Sequence, residues 1–142
     1  MALRLVDART IIAASLTAAR AAELQPLAVI VLDAGGQVRA FESEDGASVL
    51  RFAIAHGKAF GAVGLGVGSR ALMARAEQQP SFIAAANGAA DGRLIPVPGG
   101  VLVRTTDGEL LGAVGVSGDS SDNDEMVAIA GITAAGFVPD PG

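Results

Sequence analysis

Two hairpin patterns set far apart in the chain restrict its fold more than any other feature. The first, LAVIVLDAGGQVRAFESEDG at residues 27–46, is an apolar run, a Gly35-Gly36 turn and an alternating run in which Val38, Ala40 and Glu42 share a face. The second is VLVRTTDGELLGAVGVSG at residues 101–118, where Asp107-Gly108 punctuates two strand-like runs. GRLIPVPGG, just before it, reads as a further strand closed by Gly99-Gly100. Helical patterns fill the rest. Residues 7–24 place Ile11, Ile12, Leu16 and Ala19 near one face, with Asp7 as N-cap and Pro26 as terminator. ASVLRFAIAHGKAFGAVG forms helix two, ending near Val63, and Ser69 caps a short third helix. PSFIAAANG gives a proline-initiated turn or two, and a last helix runs from about Asp122 to Ala135. This order does not repeat strand-helix-strand, so a mainly antiparallel sheet with helices packed on its faces is expected.

At 142 residues the chain is expected to form one domain, 1–142, with an ordinary core. It has no cysteine, which excludes disulfides and thiolate chemistry and fits a cytoplasmic protein. MALRLVDART lacks a signal-peptide pattern, and no window approaches the ~20 uncharged apolar residues of a membrane span. Mean hydropathy is nevertheless +0.48. Few charges remain to cover a monomer's surface, which points to a homo-oligomer with apolar interfaces. A net charge of −5, without Trp or Tyr, provides neither the basic footprint nor the stacking rings that nucleic-acid binding uses.

GAVGVSGDSSDNDE, residues 112–125, looks like a glycine loop feeding a helix. Its glycines at 112, 115 and 118 do not match the dinucleotide fingerprint, and it runs into Asp119, Asp122, Asp124 and Glu125 rather than a lysine and hydroxyl. Phosphate cradling is not expected. The glycines instead let a strand approach a neighbouring element closely, and Ser121 or Asp122 caps the last helix with its acids aligned on the helix dipole. The acidic spacing does not fit a calcium loop either. GVGSRA matches a nucleotide fingerprint only on paper, because it follows a helix and not a strand.

Five positions offer chemistry. His56 is the only histidine and the best axial ligand available for haem, with Met73 and Met126 as softer options. Lys58 is a candidate base or anion anchor if buried, and otherwise a partner for Glu44 or Asp45. Two residues apart on a helix, His56 and Lys58 point about 200° from each other and cannot share a pocket. The Gly99 and Gly100 amides can face a ligand carboxylate, and Ser117 can donate to a ligand from a strand end.

VIVLDAGGQVRAFESEDGAS, AIAHGKAFGAVGLGVGSR, PVPGGVLVRTTDGELLGAVGVSGDSSDNDE and AGITAAGF together resemble the GlcG/HbpS family, the haem-binding-protein-like domains also found at the end of PduO cobalamin adenosyltransferases. The resemblance covers nearly the whole chain and includes the Lys58-Ala59 pair. It implies a profilin-like α-β-α sandwich around a five-stranded antiparallel sheet, assembled into dimers or larger rings. It also implies a small ligand, haem or a relative, in an apolar pocket between helix two and the sheet. Many relatives carry an arginine before the Asp-Gly-Ala turn; Ser43 and Glu44 stand there instead, without that cation. The alternative function is a cofactor-free catabolic enzyme in which Lys58 or His56 moves a proton on a carbonyl or carboxylate substrate. A scaffold module is a third.

Overall fold

Each hairpin pattern closes as written. In the first, the Asp33 carboxylate accepts from the Gly35 and Gln37 amides while Gly36 takes φ +82°. The second is closed by Thr105, whose carbonyl accepts from Gly108 and whose hydroxyl accepts from Glu109. A computed structural model describes residues 1–142 and gives the strands β1 (Ala28–Asp33), β2 (Val38–Ser43), β3 (Gly100–Arg104), β4 (Leu110–Ser117) and β5 (Val138–Asp140). All pairings are antiparallel and the strand order is β2-β1-β4-β3-β5. The helices are α1 (Leu5–Ala21), α2 (Arg51–Leu65), α3 (Ser69–Gln78), α4 (Pro80–Ala89) and α5 (Ser121–Ala134). None is long and apolar enough to cross a membrane.

The central strands are buried on both faces, so their side chains divide by the two-residue period of a strand. Val29 and Val31 of β1, Val101 and Val103 of β3, and Val114 and Val116 of β4 face α1 and α5, meeting Ile11, Ile12, Val127 and Ile132. Ile30, Leu32, Leu102 and Ala113 face the other way, onto Ala55, Ala59 and Ala62 of α2. The result is the expected three-layer α-β-α sandwich around an antiparallel sheet.

The α2 layer lies directly on the strands. Apart from Lys58, its buried face carries only alanine and glycine, and β4 presents Gly115 beneath them; a Cβ there would run into the Ala55 carbonyl oxygen. The space between α2 and the sheet is therefore closely filled at these positions, and the cleft bearing His56 lies on the outer side of α2.

Several boundaries differ from the sequence expectation. Asp7 is not the N-cap of α1 but sits one turn in, where it receives the Arg4 amide and guanidinium. Ser120, not Ser121 or Asp122, caps α5 by accepting from the Asn123 amide. α2 continues to Leu65 and ends at Gly66 in the left-handed region. Residues 92–99 form no strand: Pro96 and Pro98 lack the amide a ladder needs, and the Ile95 amide donates to the Gly57 carbonyl of α2 instead. β5 was not foreseen; Val138–Asp140 adds to the exposed edge of β3, the one place where a strand tolerates Pro139.

Gly115→Ala is expected to destabilise the fold by about 1–3 kcal/mol, the usual cost of overpacking a tight contact. Urea unfolding checks this: the midpoint falls while the m-value stays unchanged.

Candidate functional site

With α2's small residues turned inward, its rings point outward. Phe52, His56 and Phe60 are spaced four apart and stack along the helix. His56 lies 5.9 Å from Phe52 and 5.4 Å from Phe60 between ring centroids, nearly parallel to both, and Phe41 of β2 meets Phe52 edge-on at 4.9 Å. Phe52 and His56 form one wall of a cleft of about 450 Å³, lined also by Leu50, Ile54, Gly92, Arg93 and Ile95, while Phe60 lies beyond its end. The opposite wall is close because Gly57 admits it: a Cβ at Gly57 would strike Ile95 and the Arg93 carbonyl. Arg93 then folds back, with its guanidinium 4.1 Å from the Phe60 ring centroid.

Partial burial and then the nearby Arg93 charge push the His56 pKa below its ordinary value of 6.5, and no hydrogen bond to the protein offsets them. At neutral pH the side chain is thus an uncharged imidazole, half-buried, in an apolar cleft. That is the state in which histidine ligates a metal or accepts a proton.

Lys58 faces the opposite side of α2, as the helical period requires. It is 2% exposed and donates to the Asp124 carboxylate at 3.0 Å and the Val116 carbonyl at 2.9 Å. Asp124, 1% exposed, also accepts from the Asp119 amide. Burial pushes Lys58 down and Asp124 up from their usual values, and their mutual attraction opposes both shifts. The expected partners Glu44 and Asp45 are not used; Glu44 instead pairs with Arg20 at 3.0 Å and accepts from the Leu27 amide.

Gly99 and Gly100 pass directly over Lys58. Gly99 has φ +122°, and a Cβ on it would sit 2.8 Å from the Lys58 Nζ. The Gly100 amide is already engaged, donating to the Ser69 hydroxyl at 2.7 Å. Ser117 lies buried at the end of β4 and accepts from the Arg51 guanidinium at 3.0 Å. The fold thus gathers Lys58, Gly99 and Ser117 around one buried polar cluster, and separates them from His56. Met73 and Met126, on α3 and α5, do not line the His56 cleft. Sequence reasoning missed Arg93, Asp124 and the phenyl ladder. Only the ladder left a local signal, in the FAIAHGKAF spacing.

The α-β-α sandwich thus carries, outside one helical layer, a histidine-bearing cleft of a size to accommodate a small ligand. The chain belongs to the HbpS-like family, described as haem degrading protein HbpS-like, whose model matches residues 3–133. The crystal structure of a PduOC:heme complex is similar to it at 25% identity and a TM-score of 0.85, covering 96% of this chain and 97% of that one. Protein ORFY of Klebsiella pneumoniae follows at 25% identity and a TM-score of 0.84, over 94% and 90% of the two chains. A double mutant of Streptomyces reticuli HbpS is 28% identical with a TM-score of 0.80, over 94% and 86%. No sequence match is found among curated proteins.

Lys58→Met alone is expected to cost about 3–5 kcal/mol, because Asp124 is left in the interior without its cation. Adding Asp124→Leu should restore most of that loss, as measured by urea unfolding of the single and double variants. The lone histidine gives a second check by proton NMR. Its midpoint should lie below 6.5 and rise toward it in Arg93→Gln. Because the folded protein resists the proton that the unfolded chain accepts, His56's contribution to stability is complete above pH 6.5 and declines as pH falls toward the lowered folded value.

Proposed function

We propose that the cleft along α2 holds a flat, largely apolar ligand of the haem class, with His56 as its metal ligand. The observation that carries this reading is the neutral His56 imidazole, stacked between Phe52 and Phe60, unpartnered by protein and lining with Phe52 a cleft of about 450 Å³. That volume lies within the range of about 300–1,000 Å³ usual for small-molecule sites. The residues suit haem: phenyl and aliphatic walls accept the apolar macrocycle, and a neutral imidazole is a ready iron ligand. Haem would supply ligand-binding and redox chemistry at its iron; His56 would provide the ligating nitrogen and the apolar walls of the cleft would exclude water. Family membership and the likeness to a PduOC:heme complex support the same class.

The same neutral imidazole suits proton transfer on a bound carbonyl or carboxylate compound, which keeps a catalytic role open for His56. Lys58 fits such a role poorly, since its ammonium is enclosed and paired. Val49, Leu50 and Phe52 are 94%, 64% and 45% exposed at the mouth of the cleft, an apolar rim that self-association would cover.

Hemin titration followed at the Soret band tests the proposal. Saturable binding that falls at least about tenfold in His56→Ala, a loss of roughly 1.4 kcal/mol or more, is the expected outcome. A shift that does not saturate, or that His56→Ala leaves unchanged, would overturn it.

A further inference from the structure

The geometry points to Arg93 as an anion anchor that selects carboxylate-bearing flat ligands for this cleft over neutral ones of the same shape. The inference rests on the ligand-binding reading above and adds the charge of the ligand and the residue that reads it.

Arg93 stands where two clefts meet. It lines the His56 cleft, and it also lines a second cleft of about 230 Å³ further along α2, walled by Phe60, Leu65, Ala86 and Leu94. No acidic side chain lines either one, although the chain has 15 acidic residues against 10 basic. The contrast with the cleft beside Arg20 is sharp, because there Glu42, Glu44 and Asp45 surround the cation. The trough along α2 is thus electrically one-signed. Its single formal charge is a guanidinium set among apolar walls.

That guanidinium is held loosely and aimed. Its Nε donates to the Ala90 carbonyl at 3.0 Å, and its Cζ lies over the Phe60 ring at 4.1 Å from the centroid. No carboxylate pairs with it, which leaves the terminal nitrogens for a ligand. A cation over an exposed ring gains only about 0.5–1 kcal/mol, less than a bidentate carboxylate contact provides, so an arriving carboxylate can take the guanidinium without loss.

The backbone beneath is fixed from both sides. Asp91 and Gly92 take φ +55° and +75°, a sharp reversal at the end of α4. Asn87 secures it twice, accepting from the Gly92 amide through its carbonyl and from the Leu94 amide through its side chain. On the other side the Ile95 amide binds the Gly57 carbonyl. A left-handed non-glycine residue such as Asp91 is strained, and strain of this sort persists where the surroundings enforce it. The side chain is long, but its root is immobilised against α2.

Iron-free protoporphyrin IX separates this inference from the metal-binding one, since it offers His56 nothing to ligate. Its fluorescence titration, against that of its dimethyl ester, would be run on the wild-type chain, Arg93→Gln and Arg93→Lys. The diacid should bind the wild type about tenfold more tightly than the diester, the size of one charge-assisted contact. Arg93→Gln should erase that preference by weakening the diacid alone, and Arg93→Lys should keep part of it. Equal affinity for the two porphyrins in the wild type, an equal loss of both in Arg93→Gln, or no saturable binding of either overturns the anchor. The hemin titration on His56→Ala reads the ligation claim separately, so either idea can fall while the other stands.

Discussion

The direct seating of α2 on the sheet governs everything else in this molecule. Helix and strands approach closely only because Ala55, Ala59 and Ala62 meet Gly115 and Ala113 without a large side chain between them. Once the inner face of the helix is committed to small residues and to Lys58, its rings Phe52 and His56 are left on the outer side. Phe52 and His56 therefore stand on the outer side of the helix, and the cleft they line lies outside the α2 layer rather than under it. The same helix contains Gly57, Gly61 and Gly64, each costing about 1 kcal/mol of helix propensity relative to alanine. Such a helix is held by its contacts more than by its own backbone preferences. The wall of the cleft is thus as firm as the sheet beneath it.

Rotation of α2 about its axis is fixed by the buried pair beneath it. Lys58 reaches the Asp124 carboxylate at the start of α5 and the Val116 carbonyl on β4, so three elements meet at one ammonium. Gly99 runs so close overhead that any side chain there would displace the amine. Pairs of this kind add little net stability compared with an apolar filling, but they tolerate only one geometry. With Lys58 locked inward, a residue two positions earlier must emerge on the far side. His56 faces the cleft for that reason.

Much of the architecture was legible in the sequence because it rests on short-range signals. Gly35-Gly36 and Asp107-Gly108 mark turns by backbone chemistry alone, and the alanine-rich periodic stretches mark helices. The opposed directions of His56 and Lys58 followed from the helical period. What escaped were relations set by distant parts of the chain. Asp124 as the partner of Lys58 lies 66 residues away, and Glu44, nearer in sequence, is taken by Arg20. Residues 92–99 carry strand-like apolar residues, yet their amide goes to α2, a choice that only the notch at Gly57 makes possible. Arg93 gained its place from that same detour, so nothing in its local sequence marked it. The phenyl ladder was the exception, readable in the four-residue spacing of Phe52, His56 and Phe60.

Charge and site pull in opposite directions here. A chain with net charge −5 repels an anion at long range, though salt screens that field beyond about 8 Å at physiological ionic strength. Inside the trough along α2 the sign reverses, because its walls carry no carboxylate and one guanidinium. An anionic aromatic ligand would gain nothing from steering and everything from contact, first by burying its rings on the ladder and then by pairing its carboxylate within reach of Arg93. Contacts of that kind act after encounter, so discrimination between acid and neutral ligands resides in the rate of departure rather than the rate of arrival. A lone cation in an apolar trough suits that task better than a basic patch would, since a patch would speed the arrival of every anion alike while rejecting none.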